Sequence, residues 1–499
     1  MFPKPRTDLR PNTADFERLP FVKPTGFREY DARWLFPEEV NLMGLQAIGL
    51  GLATLLRRRD IPVRIVTGHD FRSYSSAIKE ALMAGMLAGG AEVFDIGLAL
   101  SPMAYFAQFE LQVEGVAMVT ASHNDNGWTG IKMGMGRPLT FGPDDMTALK
   151  EIVLGGDYEV KAGGLYHYVG DLAGRYMADL TKRPKLKRRI KAVVACGNGT
   201  AGAFAPQVLE AIGCDVVPLH CELDHSFPNY NPNPEALAML HDMSAAVLKH
   251  GADAGLGFDG DGDRCGVVDN EGREIFADRV GVMLARDISA RRPGAKFVVD
   301  VKSTGLFLTD PVLIANGATT TYWKTGHSYI KRFSHETGAA VGFEKSGHFF
   351  FNPPLGRGYD DGLVAAFAVL DMLDHNPSKT MADLERDLPK TWQSPTMSPH
   401  CGDEVKYGIV DRVIEHFKAH AASGGKLAGQ AVRDLITVNG IRIVLEDGTW
   451  GLVRASSNKP ELVVVVESPT SEANMRAIFA DIDAHLQTYP EIGEYNQKI

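Results

Sequence analysis

From about residue 60 to residue 390 the chain repeats one pattern: an apolar strand-like run, a loop of small residues, then a helix-like amphipathic segment. RIVTGHD (64–70), AEVFDIG (91–97), GVAMVTAS (115–122), KAVVACGNGT (191–200), KFVVDVKSTG (296–305) and TTYWKTGHS (320–328) read as buried strands that end in small-residue loops. Segments such as SSAIKEALMAGMLAGG (75–90) lie between them. Such alternation argues for α/β layers. A strand, a Gly/Ser/Thr loop and a helix recur near 120, 197 and 303, which points to repeated α/β units. At 499 residues the chain is too long for one core, so three or four domains are expected. FPNYNPNPEA (227–236) and DLPKTWQSPTMSPHCGDE (387–404) read as connectors. After about 393 strands follow one another through short turns and a last amphipathic helix closes the chain, the pattern of a smaller α+β domain.

Composition narrows the function class. A hydrophobic content of 44% and a charged content of 23% are those of an ordinary soluble globular protein. The net charge of −10 argues against a broad nucleic-acid-binding surface. It leaves room for a local Arg/Lys cleft that steers a small anion. Cys196, Cys214, Cys221, Cys265 and Cys401 show neither zinc spacing nor a disulfide framework, so they read as reduced and the setting as cytoplasmic. MFPKPRTDLR lacks the apolar core of a signal peptide. The most apolar helix, Gly44 to Leu56, is too short to span a bilayer, so no membrane partner is expected.

Five stretches carry chemistry. In MVTASHNDNGWTGIKMG (118–134), Ser122 stands at a strand end in a small-residue loop, where its hydroxyl is expected to be open to close approach, with Lys132 downstream. In GLGFDGDGDRCGVVD (255–269), Asp259, Asp261 and Asp263 alternate with glycine. Carboxylates so close repel one another unless a cation neutralises them, and hard oxygen ligands on a tight loop suit Mg²⁺ or Ca²⁺; the alternative is a solvated acidic turn. An EF-hand loop needs Gly where Arg264 stands and Glu where Asn270 stands, and the flanks read as strands rather than helices. A haloacid-dehalogenase nucleophile motif needs Thr or Val where Asp263 stands. Arg264 beside the acidic triplet suggests an anion shared by cation and metal. In VGFEKSGHFFF (341–351), Glu344, Ser346 and His348 alternate and would share one face of a strand end. They suit vicinal sugar hydroxyls or, equally, the tying down of a loop. RASSNKPE (454–461) offers Arg454, Ser456, Ser457, Asn458 and Lys459 as material for a phosphate cradle, although surface loops often look alike. KTGHS (324–328) sets Lys324 and His327 around Gly326, and Lys302 and Arg33 are further loop cations that taken singly read as salt-bridge partners. A strand-end serine, an acidic metal loop and several loop cations together suit phosphoryl transfer through a phosphoserine.

FREYDAR, TASHN…GIK, FDGDGDR, EKSGH and RASSNKP occur in one order, joined by DVKST and WKTGHS. In these motifs the whole chain resembles the α-D-phosphohexomutases, above all the bacterial phosphomannomutase/phosphoglucomutase branch. The resemblance implies three similar α/β domains with mixed sheets plus a smaller C-terminal α+β domain, arranged around a central cleft. The expected bounds are 1–167 (phosphoserine loop), 168–272 (metal loop), 273–392 (sugar loop) and 393–499 (phosphate loop). It implies that Ser122 is phosphorylated and that Asp259, Asp261 and Asp263, with an oxygen of phospho-Ser122, hold one Mg²⁺ per chain. Glu344 and Ser346 would grip sugar hydroxyls, and Arg454, Ser456, Ser457 and Asn458 would hold the phosphate that is not transferred. Tyr30, Arg33, Lys132, Arg264, Lys302, Gly326, His327 and His348 would line the cleft, with Arg33, Lys132 and His327 among the catalytic groups and Lys132 or His327 as the base.

The implied reaction interconverts hexose 1-phosphate and hexose 6-phosphate, of mannose or glucose, with hexose 1,6-bisphosphate as intermediate and activator, in a monomer or homodimer whose partners are sugar phosphates. Asp125, Trp128-Thr129, His69, Trp34 and Ser457-Asn458 depart from the family's usual residues. Phosphoglucosamine mutases typically carry GEQSGH and SGTEP, and Lys345 and SSNKP point away from them. A non-catalytic, Ca²⁺-stabilised sugar-phosphate-binding protein would not need Ser122.

Overall fold

The apolar runs form the middle strands of successive sheets, and the loops that follow them carry the polar motifs. The computed structural model describes residues 2–457 and 459–499. It divides into two compact units: residues up to Phe276 with Ser346–Ala382, and Ala277–Lys345 with Asp383–Ile499.

The first unit holds two mixed sheets. One is six-stranded, in the order Ala32–Leu35, Trp128–Met135, Gly115–Val119, Arg64–His69, Glu92–Leu98, Leu165–Tyr168. Arg64–His69 runs parallel to both Glu92–Leu98 and Gly115–Val119, and every residue of the latter is buried. Strands covered on both faces are apolar throughout, which is why these read so plainly. Trp128–Met135 turns back antiparallel and sets Lys132 opposite Met118, one strand from the serine loop. The helix Leu42–Arg58, wider than the sequence pattern suggests, starts where the Asn41 side chain accepts a hydrogen bond from Gly44 N. With Ser75–Ala88 and Pro143–Gly155 it covers the sheet through Leu45, Ile48, Leu52, Ile78, Leu82 and Leu149. Each such side chain contributes roughly 1.5–3 kcal/mol on burial.

The second sheet runs Glu274–Ile275, Cys265–Asp269, Ala254–Phe258, Lys191–Ala195, Asp215–Leu219. Lys191–Ala195 is parallel to both of its neighbours, and Ala254–Phe258 and Cys265–Asp269 form an antiparallel hairpin with the acidic loop at its tip. Val193, Met239, Met243, Val247 and Val268 make its core against the helix Leu237–His250.

In the second unit Lys296–Asp300 lies parallel to Thr319–Trp323 and to Val341–Phe343. The C-terminal sheet is antiparallel and six-stranded. Lys406–Ala422 and Glu472–Leu486 pack on it through Ile409, Val413, Ile478 and Ile482. Three α/β/α domains and a C-terminal antiparallel-sheet domain result, as expected.

Two local readings differ. Glu344, Ser346 and His348 do not alternate along a strand: Val341–Phe343 ends first, and Gly347, at φ 92°, breaks the extended run. The unit boundary also falls between Lys345 and Ser346. The connector 387–404 contains a short strand, Trp392–Gln393, which pairs with Leu462–Ser468. No helix among the described residues is long and apolar enough to cross a membrane.

Candidate active site

Ser122 follows the strand Gly115–Val119 and adopts φ 50°, a left-handed conformation rare for a side-chain-bearing residue and costing on the order of 1–3 kcal/mol. Surrounding bonds hold it there. Ser122 N–H donates to Thr120 Oγ1 at 2.8 Å, and Arg72 Nη2 donates to the carbonyls of Ser122 (2.9 Å) and Asn124 (2.7 Å). Asp70 in turn accepts from Thr120 Oγ1, Ala121 N, Ser75 Oγ and Arg72 Nη1. Arg33 Nη1 donates to Thr120 O at 3.2 Å while Nε and Nη2 pair with Asp31. Ser122 is not open, as the loop composition suggests, but buried, and its hydroxyl donates to Asp259 Oδ2 at 2.8 Å. Arg264 Nη2 lies 3.4 Å from the hydroxyl oxygen and also donates to His123 Nδ1.

The acidic loop reaches the serine through a close backbone approach. A Cβ at Gly260 would lie 2.4 Å from Ser122 O, so only glycine fits. Asp259, Asp261 and Asp263 are fully buried, with carboxylate oxygens within 4.8 Å of one another. Asp261 Oδ2 accepts from Ser101 Oγ (2.6 Å) and Lys132 Nζ (2.7 Å), and Lys132 also pairs with Asp263. Asp261 Oδ1 has no hydrogen-bond partner among the described residues. Burial, then the charges of Asp261 and Asp263, push Asp259 well up. Burial opposes ionisation of Asp261, yet Lys132 and Ser101 hold it far below the carboxylate range. Burial likewise opposes the Lys132 charge, and the two aspartates more than restore it, so the ammonium stays protonated. His348 Nδ1 meets Ser346 Oγ at 3.0 Å and Nε2 faces Asp263 at 3.4 Å. Burial and then Arg264 push His348 well down, to the neutral imidazole. Three clustered carboxylates with an unpartnered buried oxygen are a donor set for a hard divalent cation. Tyr30 is buried in the same unit.

The second unit gathers a different set. Glu344 Oε1 accepts from Gly326 N at 2.6 Å, which fixes the turn that starts the helix His327–Glu336. Arg454 is buried on the strand Trp450–Ala455, its Nε donating to Asn439 Oδ1 at 2.9 Å and Nη2 to Ser457 Oγ at 3.2 Å. Asn439 also accepts from Thr325 N. Gly440 makes this possible: a Cβ there would strike Val453 O at 2.2 Å. Ser456 Oγ accepts from Lys459 N, and Lys302 Nζ lies 3.7 Å from Asp300. Asn458 lies outside the described residues.

The first unit thus brings together Arg33, Ser122, Lys132, Asp259, Asp261, Asp263, Arg264 and His348, and the second Gly326, Glu344, Arg454 and Ser457. Sequence reading missed Asp70, Arg72, Ser101, Thr120 and Asn439. Asp70 and Arg72 stand in a strand-end loop, GHDFRS, and Asn439 in an Asn-Gly turn, which are their only local signals. The Trp34 departure is absorbed by the core, where its indole donates to Lys23 O at 2.9 Å and stands edge-on to Phe27.

Comparison with known proteins covers nearly all of the chain. Family models for phosphoglucomutase/phosphomannomutase match in sequence: alpha/beta/alpha domain I over 24–159, domain II over 174–272, domain III over 276–392 and the C-terminal domain over 411–485. A phosphomannomutase/phosphoglucomutase of Pseudomonas putida is 33% identical over 93% of this chain and 94% of its own length. A phosphoglucomutase of Neisseria gonorrhoeae is 34% identical over 90% and 94%. The crystal structure of a phosphoglucomutase/phosphomannomutase family protein from Burkholderia thailandensis superposes with a TM-score of 0.84 at 29% identity, covering 94% of this chain and 98% of that one.

Proposed function

The chain belongs to the phosphoglucomutase/phosphomannomutase family and is a phosphohexomutase, and from that premise we propose that it interconverts hexose 1-phosphate and hexose 6-phosphate, of mannose, glucose or both, through phospho-Ser122 and a hexose 1,6-bisphosphate. The observation that carries this reading is Ser122 itself: a strained, buried serine whose hydroxyl touches a carboxylate of a three-aspartate loop and a guanidinium.

In the forward step the P–O bond to Ser122 Oγ breaks and one forms to the free sugar hydroxyl, whose proton passes to a base. The returning phosphoryl group reverses these changes from the other end of the sugar. Arg264, beside Ser122 Oγ, balances charge on the transferring phosphoryl oxygens. Arg72 and Asp70 keep the serine aimed. Lys132, paired with Asp261 and Asp263, places a cation beside the acidic loop, and Lys132 or His327 takes the hydroxyl proton. Asp259, Asp261 and Asp263, with a phosphoserine oxygen, would hold Mg²⁺, which would supply Lewis-acid polarisation of the phosphoryl group. Ser346 and Glu344 bind sugar hydroxyls, with Tyr30, Arg33, Lys302, Gly326 and His348 lining the substrate's path. Arg454, Ser456, Ser457 and Asn458 hold the phosphate not in transfer.

Incubation with glucose 1,6-bisphosphate, followed by intact mass and peptide mapping, tests the reading. One phosphoryl group on Ser122, removable by phosphatase and by turnover, is expected, together with activity on mannose or glucose 1-phosphate in a coupled assay. Turnover by the Ser122→Ala variant in a preparation free of other mutases would overturn it.

A further inference from the structure

Cys196 and Cys221 follow the ends of the adjacent parallel strands Lys191–Ala195 and Asp215–Leu219, with their sulfurs 3.6 Å apart. Ala195 lies opposite Leu219, Cys196 N donates to Leu219 O at 3.1 Å, and Asn198 N donates to His220 O at 2.7 Å, so the ladder runs up to the two thiols. His220, at φ 49°, turns the chain after the strand, and the Cys221 sulfur comes to lie beside that of Cys196. Cys196 is fully buried, whereas Cys221 is partly exposed.

The geometry points to a reversible thiol–disulfide modification site at Cys196 and Cys221, reached through the partly exposed Cys221 and hydrogen-bonded through Thr200 to the loops that carry Asp259 and Asp70. The Cys221 thiolate attacks a small disulfide such as oxidised glutathione. One S–S bond forms, the old one breaks, and one small thiolate leaves. Cys196, giving up its proton, then attacks Cys221 Sγ and expels the second thiolate. Two protein thiols are oxidised and one small disulfide is reduced to two thiols. Cys221 is the partly exposed thiol of the pair and Cys196 the buried one, which assigns Cys221 as the first nucleophile; the contact between them draws the Cys221 thiol down, and the same contact and burial push Cys196 up. Burial pushes Cys214 and Cys265 up to about 12, so they do not compete.

Contacts pass a sulfur movement onward. A Cβ at Gly202 would lie 2.1 Å from Cys221 O, so the turn Thr200–Ala203 rests on the Cys221 backbone. Gly199 N donates to Cys196 O at 2.8 Å. Thr200 N donates to Gly260 O, inside the acidic loop, and Thr200 Oγ1 accepts from Phe71 N, between Asp70 and Arg72. Drawing the sulfurs to bonding distance therefore shifts the support of both loops, and turnover falls.

The full-length protein is equilibrated with oxidised and reduced glutathione, its free thiols are alkylated, and its peptides are mapped alongside activity. The expected result is a single Cys196–Cys221 disulfide, loss of turnover in proportion to it, and recovery of both with dithiothreitol. Cys196→Ser should keep its activity in the reduced state and hold a stable glutathione adduct at Cys221. Cys221→Ser should acquire neither disulfide nor adduct. Full alkylation of both cysteines under oxidant, or a disulfide between other cysteines, overturns the site. A Cys196–Cys221 disulfide with unchanged turnover overturns its coupling to the loops. The wild-type map decides the first question even if a variant does not fold.

Discussion

Replacing Arg454 by alanine separates a phosphate anchor from a structural arginine. The side chain is 4% exposed, yet among the described residues its partners are the neutral Asn439 Oδ1 and Ser457 Oγ, and no carboxylate pairs with it. Glu461, the nearest acidic residue in the sequence loop, meets the loop through its backbone, where its carbonyl accepts from Ser456 N. A buried guanidinium held by neutral groups, with Nη1 unspent, is arranged to take an anion through two parallel hydrogen bonds. One charge-assisted hydrogen bond is worth roughly 1.5–3 kcal/mol. Its loss therefore raises KM for the sugar phosphate by about tenfold to a hundredfold. Because the bisphosphate is then held less firmly, more of it escapes before it is dephosphorylated, and the concentration of glucose 1,6-bisphosphate needed for full activity rises too. Arg454→Lys keeps the charge but loses the fork, and should fall between the two. Asn439→Ala, which frees the guanidinium to wander, should raise KM less than Arg454→Ala does. Steady-state kinetics at several activator concentrations, beside a thermal melt, give the readout. Unchanged KM and activator requirement with a lowered melting temperature would refute the anchor and make Arg454 a packing residue.

Other substitutions report on the first unit. Asp261→Asn removes the carboxylate oxygen that has no partner and leaves Lys132 one anion short, so the Mg²⁺ concentration for half-maximal activity should rise and Ca²⁺ should support less turnover; equal rates with and without EDTA would contradict a metal role. Arg72→Lys cannot span the Ser122 and Asn124 carbonyls and Asp70 together, so kcat should fall by roughly tenfold to a hundredfold with KM little changed, and a change confined to KM would refute the positioning role. Asp361, which caps the helix Gly362–His375 and accepts from Tyr176 Oη at 2.8 Å, is raised by burial from 3.8 to about 7. The folded protein therefore binds this proton more tightly than the unfolded chain, so the associated stability is full below about pH 4 and is lost as pH rises through 7, by up to roughly 4 kcal/mol. Asp361→Asn keeps the cap and should flatten the fall in melting temperature between pH 5 and about 8; an unaltered pH slope would show that Asp361 ionises freely.

The parts of this molecule legible in its sequence are those whose cause is local. Buried parallel strands need apolar side chains on both faces, so Gly115–Val119 and Lys296–Asp300 announce themselves by composition, as do the small-residue loops after them. The acidic loop is legible because its charges repel within a few residues, whatever surrounds them. The strand-end alternation of Glu344, Ser346 and His348 misled because Gly347 takes a conformation that composition permits but does not require. The supports of Ser122 were hidden for another reason. Asp70 and Arg72 reach it across about fifty residues of chain, Arg72 through the carbonyls of Ser122 and Asn124 and Asp70 by accepting from Thr120 Oγ1 and Ala121 N, contacts that have no sequence signature. Nor does a serine's residue type disclose a left-handed φ; the strain exists only because Asp70, Arg72 and Thr120 are already placed to oppose relaxation. Asn439 is the same case in the second unit, where an ordinary Asn-Gly turn becomes a site element once Gly440 lets it lie on the Arg454 strand. The chemistry of each motif is therefore written in its own residues, whereas the force that holds it in register belongs to residues elsewhere in the chain. Substitutions at Arg72 and Asn439 should consequently damage function without touching any motif that sequence alone identifies.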